Sequence, residues 1–216
     1  MKKMLFCTLF PALLLGLLCR PALADSVTYL VTVNTSSQGG NYGYIDLQLN
    51  QGTFSALPVT ASITGFAGGV LNPADLSSTG TSGDLATTLT IPAASSTDYF
   101  EGLTFGNSIS FDVTFSGTGV NLAGLAGGTS GTMFVLQFYD SAISNTLFTN
   151  DPNGPTGLIN IAPDGTVGVD ALPGPSGGDS LATIVATPEP STLWFFACAG
   201  AAFLLLRRRF AGLVTR

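Results

Sequence analysis

Short runs of alternating apolar and polar residues make up most of the chain, and they constrain its fold more than any other feature. The pattern is clear in Val27–Val33, Ile45–Leu49 and Phe111–Phe115, where every second residue is apolar. Successive side chains of a β-strand point to opposite faces of a sheet, so a period of two is typical of a strand with one buried face. Between the two ends of the chain, no window shows the apolar stripe of an amphipathic helix. The alternation therefore predicts strands.

The predicted fold class is all-β, an antiparallel β-sandwich of jelly-roll or immunoglobulin-like topology with about eight to ten short strands. Met133–Tyr139 is apolar on both faces, which favours a central strand. Turn sequences such as Pro163-Asp164-Gly165 separate the runs. The further predicted strands are Val59–Phe66, Asp84–Ile91, Gly157–Ile161, Thr166–Val169 and Leu181–Ala186.

The sandwich is predicted to span residues 25–171, and a linker and stalk to span 172–187. Leu172–Asp179 reads LPGPSGGD, a composition typical of linkers. The run Leu181–Ala186 that follows it is either an added strand or an extended stalk.

All seven basic residues lie near the two ends of the chain, and they leave the middle uniformly acidic. Lysine and arginine occur only up to Arg20 and from Arg207 onward, and all thirteen carboxylates lie between Asp25 and Glu189. Nucleic-acid binding needs cations that displace counterions from phosphates, so the middle is not expected to bind nucleic acid, nucleotide cofactors or anionic substrates.

Cysteine and histidine chemistry is also missing from the middle of the sequence. Cys7, Cys19 and Cys198 all lie in the apolar terminal segments, and the chain has no histidine. The middle therefore offers no disulfide, thiolate metal site or cysteine nucleophile, and it lacks the commonest general base. Asp98 and Glu101 are the only carboxylates close in sequence that could act as a catalytic pair. Three residues apart, they are expected to face solvent, so the chain is predicted not to be an enzyme.

Residues 1–24 have the three parts of a secretory signal peptide. Lys2 and Lys3 supply the positive region, and Leu5–Leu18 supplies the apolar stretch. Ala22 and Ala24 place small residues where a signal peptidase requires them. The predicted partners are thus the secretion machinery and signal peptidase, with cleavage before Asp25.

Residues 188–210 combine a short motif, an apolar run and a basic cluster. The motif is Pro188-Glu189-Pro190-Ser191-Thr192, and Arg207-Arg208-Arg209 follow the apolar run. As a helix, residues 192–206 would rise about 1.5 Å each, against a hydrocarbon core of about 30 Å, so the predicted transmembrane span is short. The arginines would hold it with the tail on the cytoplasmic side.

This order of motif, short span and basic cluster resembles the PEP-CTERM sorting signal of Gram-negative bacteria. The resemblance implies recognition by an exosortase, a membrane-embedded cysteine-type enzyme that cleaves near the PEP motif. It further implies a transient stay in the inner membrane, release to the cell surface or matrix, and bacteria that make exopolysaccharide.

The middle of the chain resembles one β-rich group within the same family. The residues that carry this resemblance include VTYLVTVNTSS near the predicted mature start, Phe105-Gly106-Asn107-Ser108 and Tyr139-Asp140-Ser141. That group has no established biochemical activity, so it implies no catalytic residue here.

Two candidate binding sites follow from the residues themselves. Tyr42 and Tyr44 share a face with Asp46, Gln48 and Asn50, and could form an aromatic platform for carbohydrate, although ordinary cross-strand packing explains them too.

Asp151 and Asn153, with Asp164 across a hairpin, offer oxygen ligands for calcium, although Asp151–Gly154 (DPNG) is also a plain turn sequence. No other cofactor is predicted. The expected function is an exported, non-enzymatic surface or matrix protein. The alternatives are a secreted carbohydrate-binding module and a calcium-dependent matrix protein.

Overall fold

The structure, a computed structural model, describes residues 26–52, 57–94, 97–120, 131–151 and 154–187. This part of the chain is mostly antiparallel β-sheet, and its only helices are two single 3₁₀ turns, so the all-β prediction is confirmed. The ten strands are β1 Ser26–Asn34, β2 Tyr42–Gln51, β3 Thr60–Thr79, β4 Ser82–Gly83, β5 Thr88–Pro92, β6 Asp98–Ser116, β7 Thr132–Asp140, β8 Gly157–Ile161, β9 Val167–Ala171 and β10 Ala182–Thr187.

Two long strands, β3 and β6, run through both layers of a sandwich-like arrangement. The first half of β6 pairs with β2 and its second half pairs with β1, while β3 follows β6 along its other edge. The first layer has the order β10-β1-β6-β3-β5-β4, and the second has the order β9-β8-β7-β2-β6-β3. Phe115 of the first layer meets Phe134 of the second with ring centroids 5.7 Å apart, so the layers face each other across the core.

The bend between the layers depends on glycines that bring two backbones into close contact. Gly68 of β3 has a φ of 93°, and a Cβ there would overlap the carbonyl of Ser108. A Cβ on Gly106 of β6 would in turn overlap the carbonyl of Gly68. The pairing of β3 with β6 shifts register on both sides of Ala67 and again beyond Asn72, as expected where a strand bends.

The lengths of β3 and β6 differ from the prediction of short strands. Only Val59–Phe66 and the alternation around Phe111 were predicted, whereas β3 has 20 residues and β6 has 19. The predicted strand Asp84–Ile91 is also too long, because the Asp84 carboxylate accepts hydrogen bonds from the backbone and hydroxyl of Thr87 and forms a turn. The strand starts only at Thr88.

The segment after the predicted linker belongs to the sheet. Leu181–Ala186 was predicted as either a strand or a stalk, and the structure shows β10 paired with β1 from Thr28–Thr187 to Val33–Ala182. The linker itself contains a single 3₁₀ turn, Pro175–Gly177. Met133–Tyr139 forms β7 between β2 and β8, as predicted for a central strand, with Phe134, Leu136 and Phe138 in the core.

Replacing Gly68 with alanine should destabilise the protein far more than replacing Gly40. Both glycines have positive φ, so both variants strain the backbone by about 1–2 kcal/mol, but only Gly68 lacks space for a Cβ. We expect Gly68→Ala to lower the free energy of unfolding by at least about 2 kcal/mol more than Gly40→Ala, as measured by urea denaturation. Equal losses would contradict the close contact at the bend.

Candidate functional site

The outer face of the second layer carries the polar residues of β2. Gly43, Ile45, Leu47 and Leu49 point into the core and are buried, so the alternate residues point outward. Strand β6 lies on one side of β2 and β7 on the other, and both add outward residues to this face. The outward residues of β2 are Tyr42, Tyr44, Asp46, Gln48 and Asn50.

Four rings form a continuous aromatic row across this face, over strands β2, β6 and β7. Tyr44 stacks on Phe100 with ring centroids 4.8 Å apart and an angle of 18° between the rings. Tyr42 meets the edge of Tyr44 at 5.5 Å, and Tyr139 contacts Phe100 at 5.9 Å. All four residues are half-buried, so each has part of its surface open to solvent. The structure thus places Tyr42 and Tyr44 together, although their rings are not coplanar.

Phe100 and Tyr139 complete the aromatic row, and sequence reasoning missed both. Phe100 lies in the first half of β6, which the alternation did not predict, and it faces Asp46 across the strand pair. Tyr139 faces Tyr44 in the β2–β7 register. The sequence showed which residues share a face with Tyr139 in β7, but it did not show that β7 pairs with β2.

The ring of Tyr42 is fixed by polar neighbours from β3. Its hydroxyl donates a hydrogen bond to the Asp75 carboxylate, and Asn72 Nδ2 donates to the Tyr42 hydroxyl at 3.1 Å. Burial and the hydrogen bond to Asp75 raise the pKa of Tyr42. Gly102 makes room for this arrangement, because a Cβ there would overlap the Tyr42 hydroxyl. These hydrogen bonds fix the orientation of the Tyr42 ring on the outer face.

Asp46, which is buried, and Asp98, which is half-buried, form a carboxyl pair beside the aromatic row. Asp46 is only 5% exposed, and Gln48 Nε2 donates to its two oxygens at 3.0 and 3.2 Å. Asp98 lies opposite Gln48 and diagonal to Asp46, and the two carboxyls are within hydrogen-bonding contact. Burial, then the hydrogen bond and charge of Asp98, raises the pKa of Asp46 to about 7. Among the described residues, no partner reaches the buried Oδ1 of Asp98.

The expectation that Asp98 and Glu101 both face solvent is wrong. Glu101 points into the core and is only 2% exposed, because three residues along a strand reverse the face. The Tyr99 hydroxyl donates to Glu101 Oε2 at 2.6 Å and accepts from the Leu85 backbone N–H at 3.3 Å. Burial raises the pKa of Glu101. These contacts satisfy the buried carboxyl of Glu101. Asp98 and Glu101 lie on opposite faces of β6 and do not share a site.

Two of the calcium candidates, Asp151 and Asp164, lie in turns. Asp164 lies between β8 and β9, where its carboxylate accepts hydrogen bonds from the Thr166 backbone and hydroxyl, which lower its pKa. The Asp151 carbonyl accepts from the Gly154 N–H at 3.0 Å, as in a plain turn, and Asn153 lies outside the described residues. Within the described ranges, no three Asp, Glu, His or Cys residues are grouped to hold a metal ion.

The terminal signals lie outside the part of the chain that the structure describes. This applies to the signal peptide with Ala22 and Ala24, to the motif Pro188–Thr192, to the predicted span 192–206 and to Arg207–Arg209. The described residues form no helix that is long and apolar enough to cross a membrane.

Tyr99→Phe should destabilise the protein by about 1–3 kcal/mol, because it leaves the buried Glu101 carboxyl and the Leu85 N–H without their shared partner. The control is Tyr139→Phe, which removes a hydroxyl from a half-buried ring of the outer face and should cost less than about 0.5 kcal/mol. Urea denaturation near neutral pH measures both. Equal stability of the two variants would show that the hydroxyl of Tyr99 does not support Glu101.

No family model, curated protein or solved structure matches the chain. The outer face of the second layer combines partly open rings of the aromatic row with the hydrogen-bonding groups of β2. Its chemistry and the terminal motifs of the sequence are therefore the basis for a functional proposal.

Proposed function

We propose that this is an exported, non-enzymatic protein of the bacterial cell surface or extracellular matrix, sorted by an exosortase, which binds exopolysaccharide through the aromatic row. The observation that carries the binding proposal is the stack of Tyr44 on Phe100, continued by Tyr42 and Tyr139. The sorting proposal is supported by the resemblance of residues 188–210 to the PEP-CTERM signal.

The chemistry of the face suits a polyhydroxylated, uncharged polymer. Aromatic rings offer apolar surface against which the C–H face of a sugar can pack, and tyrosine adds a polar edge. Gln48 and Asn50 stand beside the rings, and their amides can exchange hydrogen bonds with sugar hydroxyls. The described chain has carboxylates and no lysine, arginine or histidine, so an acidic polysaccharide would be repelled. The preferred ligand is therefore a neutral polysaccharide.

The position of the aromatic row supports a role away from the membrane. Thr28 pairs with Thr187, so the start of β1 and the end of β10 lie side by side, next to the predicted signal peptide and sorting signal. Strand β1 runs away from this end, and the chain returns as β2, whose first residue is Tyr42. Tyr42 thus lies toward the opposite end of the sheets, where β3 and β6 bend. A precursor held at the membrane by its terminal segments would present this end outward.

We take the finer fold class to be an antiparallel β-sandwich of jelly-roll or immunoglobulin-like type. The contact of Phe115 with Phe134 supports two facing layers, and bent strands that pass from one layer to the other are a known way to form the corner of a sandwich.

The geometry of the carboxyl pair favours binding over hydrolysis. Glycosidases hold their two carboxyl groups about 5–9.5 Å apart, with the scissile bond between them. Asp46 and Asp98 are instead in hydrogen-bonding contact, which leaves no room for a sugar between them. Glu101 points to the other side of the sheet and cannot take part.

Replacing two rings of the aromatic row should weaken retention on a neutral polysaccharide. We expect wild-type protein to be retained on insoluble cellulose or cross-linked dextran, and Tyr42→Ala, Tyr44→Ala to bind at least about tenfold more weakly, since two ring contacts contribute about 1 kcal/mol each. The measurement is depletion from solution at increasing polymer concentration, with alginate as the acidic comparison.

The matched control is Leu30→Ala, Val185→Ala, which removes two exposed apolar side chains that face each other across β1 and β10 in the first layer. Its retention should equal that of the wild type. Equal retention of the tyrosine variant, or no retention of the wild type on either neutral polymer, would contradict the proposed binding face.

Processing of the chain is testable separately in the native host. Mass spectrometry of the mature protein should show an N-terminus at Asp25 and no peptide that contains Trp194 or Arg207–Arg209, because both terminal segments are removed. Alanine at all three positions Pro188–Pro190 should leave the C-terminal segment attached. Mature wild-type protein that keeps Trp194 would contradict exosortase cleavage.

A further inference from the structure

The carboxyl pair beside the aromatic row, with Asp46 buried and Asp98 half-buried, lies in a region that contains no base. Asp46 lies on β2 between Tyr44 and Gln48, facing Phe100 of β6 and Gln137 of β7. The titratable groups near it are Asp98 on β6, Tyr139 on β7 and Tyr44 on its own strand. Lysine, arginine and histidine are absent from the entire sequence between Asp25 and Glu189, so no side chain of this domain can balance the charge.

Two ionised carboxylates in contact would be unstable in this position. Like charges in a partly desolvated site repel strongly, and burial further penalises the charge of Asp46. Gln48 donates to both oxygens of Asp46, but an amide supplies no positive charge. A proton held between the two groups removes one charge and turns the repulsion into a hydrogen bond, as in other carboxyl pairs that share one proton.

The unpartnered oxygen of Asp98 is the second observation that points to this proton. Asp98 Oδ1 is buried and, in the described part of the chain, has no hydrogen-bond donor. Buried acceptors are nearly always satisfied in folded proteins. The Asp46 carboxyl is the contacting group, and it becomes a donor once it is protonated. A proton on Asp46 would therefore supply a donor to Asp98, the residue that carries the orphan acceptor.

We propose that Asp46 and Asp98 share one proton, and that loss of this proton at alkaline pH makes the aromatic row release its polysaccharide. The regulatory half of this proposal rests on the proposed function. Tyr44 is two residues from Asp46 on β2, and Phe100 is two residues from Asp98 on β6, so the stacked rings are attached to the same two strand segments as the carboxyls. Repulsion that separates the carboxyls displaces the rings that form the platform.

The direction of the pH effect on stability follows from the raised pKa of Asp46. In the unfolded chain Asp46 loses its proton near pH 3.9, whereas in the folded protein it keeps the proton to about pH 7. The stability that the proton supplies is fully present below pH 3.9, declines as the pH rises and is lost above about pH 7. Burial and the charges of Asp46 and Asp98 raise the pKa of Tyr139, so this phenol stays protonated over the whole pH range in which Asp46 titrates.

The first experiment follows the melting temperature of the wild type and Asp46→Asn from pH 5 to pH 9 in a buffer free of divalent cations. Asparagine resembles the protonated carboxyl, because its amide can donate to Asp98 while its oxygen accepts from Gln48. We expect the variant to melt higher than the wild type, by a margin that grows by at least about 3 °C between pH 5 and pH 8. The buried Glu101 also titrates with a raised pKa, but it contributes to both proteins and cancels in the comparison.

Asp98→Asn is the second variant, in case Asp46→Asn folds poorly, and Asp170→Asn on β9 is the exposed control. Asp98→Asn should also lessen the fall in melting temperature above pH 6, and Asp170→Asn should follow the wild type. Parallel curves for the wild type and both pair variants would overturn the shared proton. So would millimolar calcium that raises the wild-type melting temperature at pH 8 but not that of Asp46→Asn, since the pair would then hold a cation.

The second experiment compares retention on the neutral polymers at pH 6 and pH 8.5. Wild-type retention should fall at least about tenfold at the higher pH, and Asp46→Asn should keep its retention at both. Retention that does not change with pH, together with the expected melting curves, would refute the switch and leave the proposed function intact. No retention at either pH, with the expected melting curves, would refute the proposed function and the release step while supporting the shared proton.

Discussion

The contact between the backbones of β3 and β6 at their glycines is the constraint on which the rest of the structure depends. Because Gly68 and Gly106 lack side chains, the two strands can bend together and continue from one layer into the other. Each strand then pairs with different neighbours on the two sides of the bend. The layers are thus joined by continuous hydrogen-bonded strands, and their apolar faces are held toward each other without a disulfide or any salt bridge between side chains of the domain.

The same bend assembles the candidate site from distant parts of the sequence. The first half of β6 pairs with β2, and its second half, beyond the bend, pairs with β1. That places Phe100 and Asp98 beside the outward residues of β2, while Tyr99 and Glu101 point into the core. One strand therefore supplies both a half-buried ring on the outer face and a hydrogen-bonded carboxyl in the core. The candidate binding face and the hydrogen bonds of the core thus lie on opposite sides of the same strand segment.

The sequence predicted the strands better than it predicted their partners. Alternation located β1 and β2 because each has one consistently apolar side, and it placed Tyr42 and Tyr44 outward. The run Met133–Tyr139, apolar on both faces, located β7. Alternation failed in the first half of β6, where Glu101 occupies a core position and breaks the apolar pattern. It also missed the second half of β3, whose residues are mostly exposed and carry little alternation.

The candidate site could be predicted only to the extent that it lies on one strand. Tyr42, Tyr44 and Asp46 are successive outward residues of β2, so their common face was readable. The contributions of Phe100, Asp98 and Tyr139 depend on which strands flank β2, and pairing between strands far apart in sequence leaves no local signature. The buried state of Asp46 was unpredictable for the same reason, since neighbours from β6 and β7 flank it.

The pairing of β1 with β10 has a consequence for the domain as a building block. Thr28 lies beside Thr187, so the chain enters and leaves the sheet at neighbouring points, and the ends are tied by a hydrogen bond from the Thr187 hydroxyl to the Thr28 carbonyl. A unit with adjacent ends can be inserted into a surface loop of another protein without separating the host's flanking residues. The bend and its aromatic row would then project from the host as a self-contained cassette.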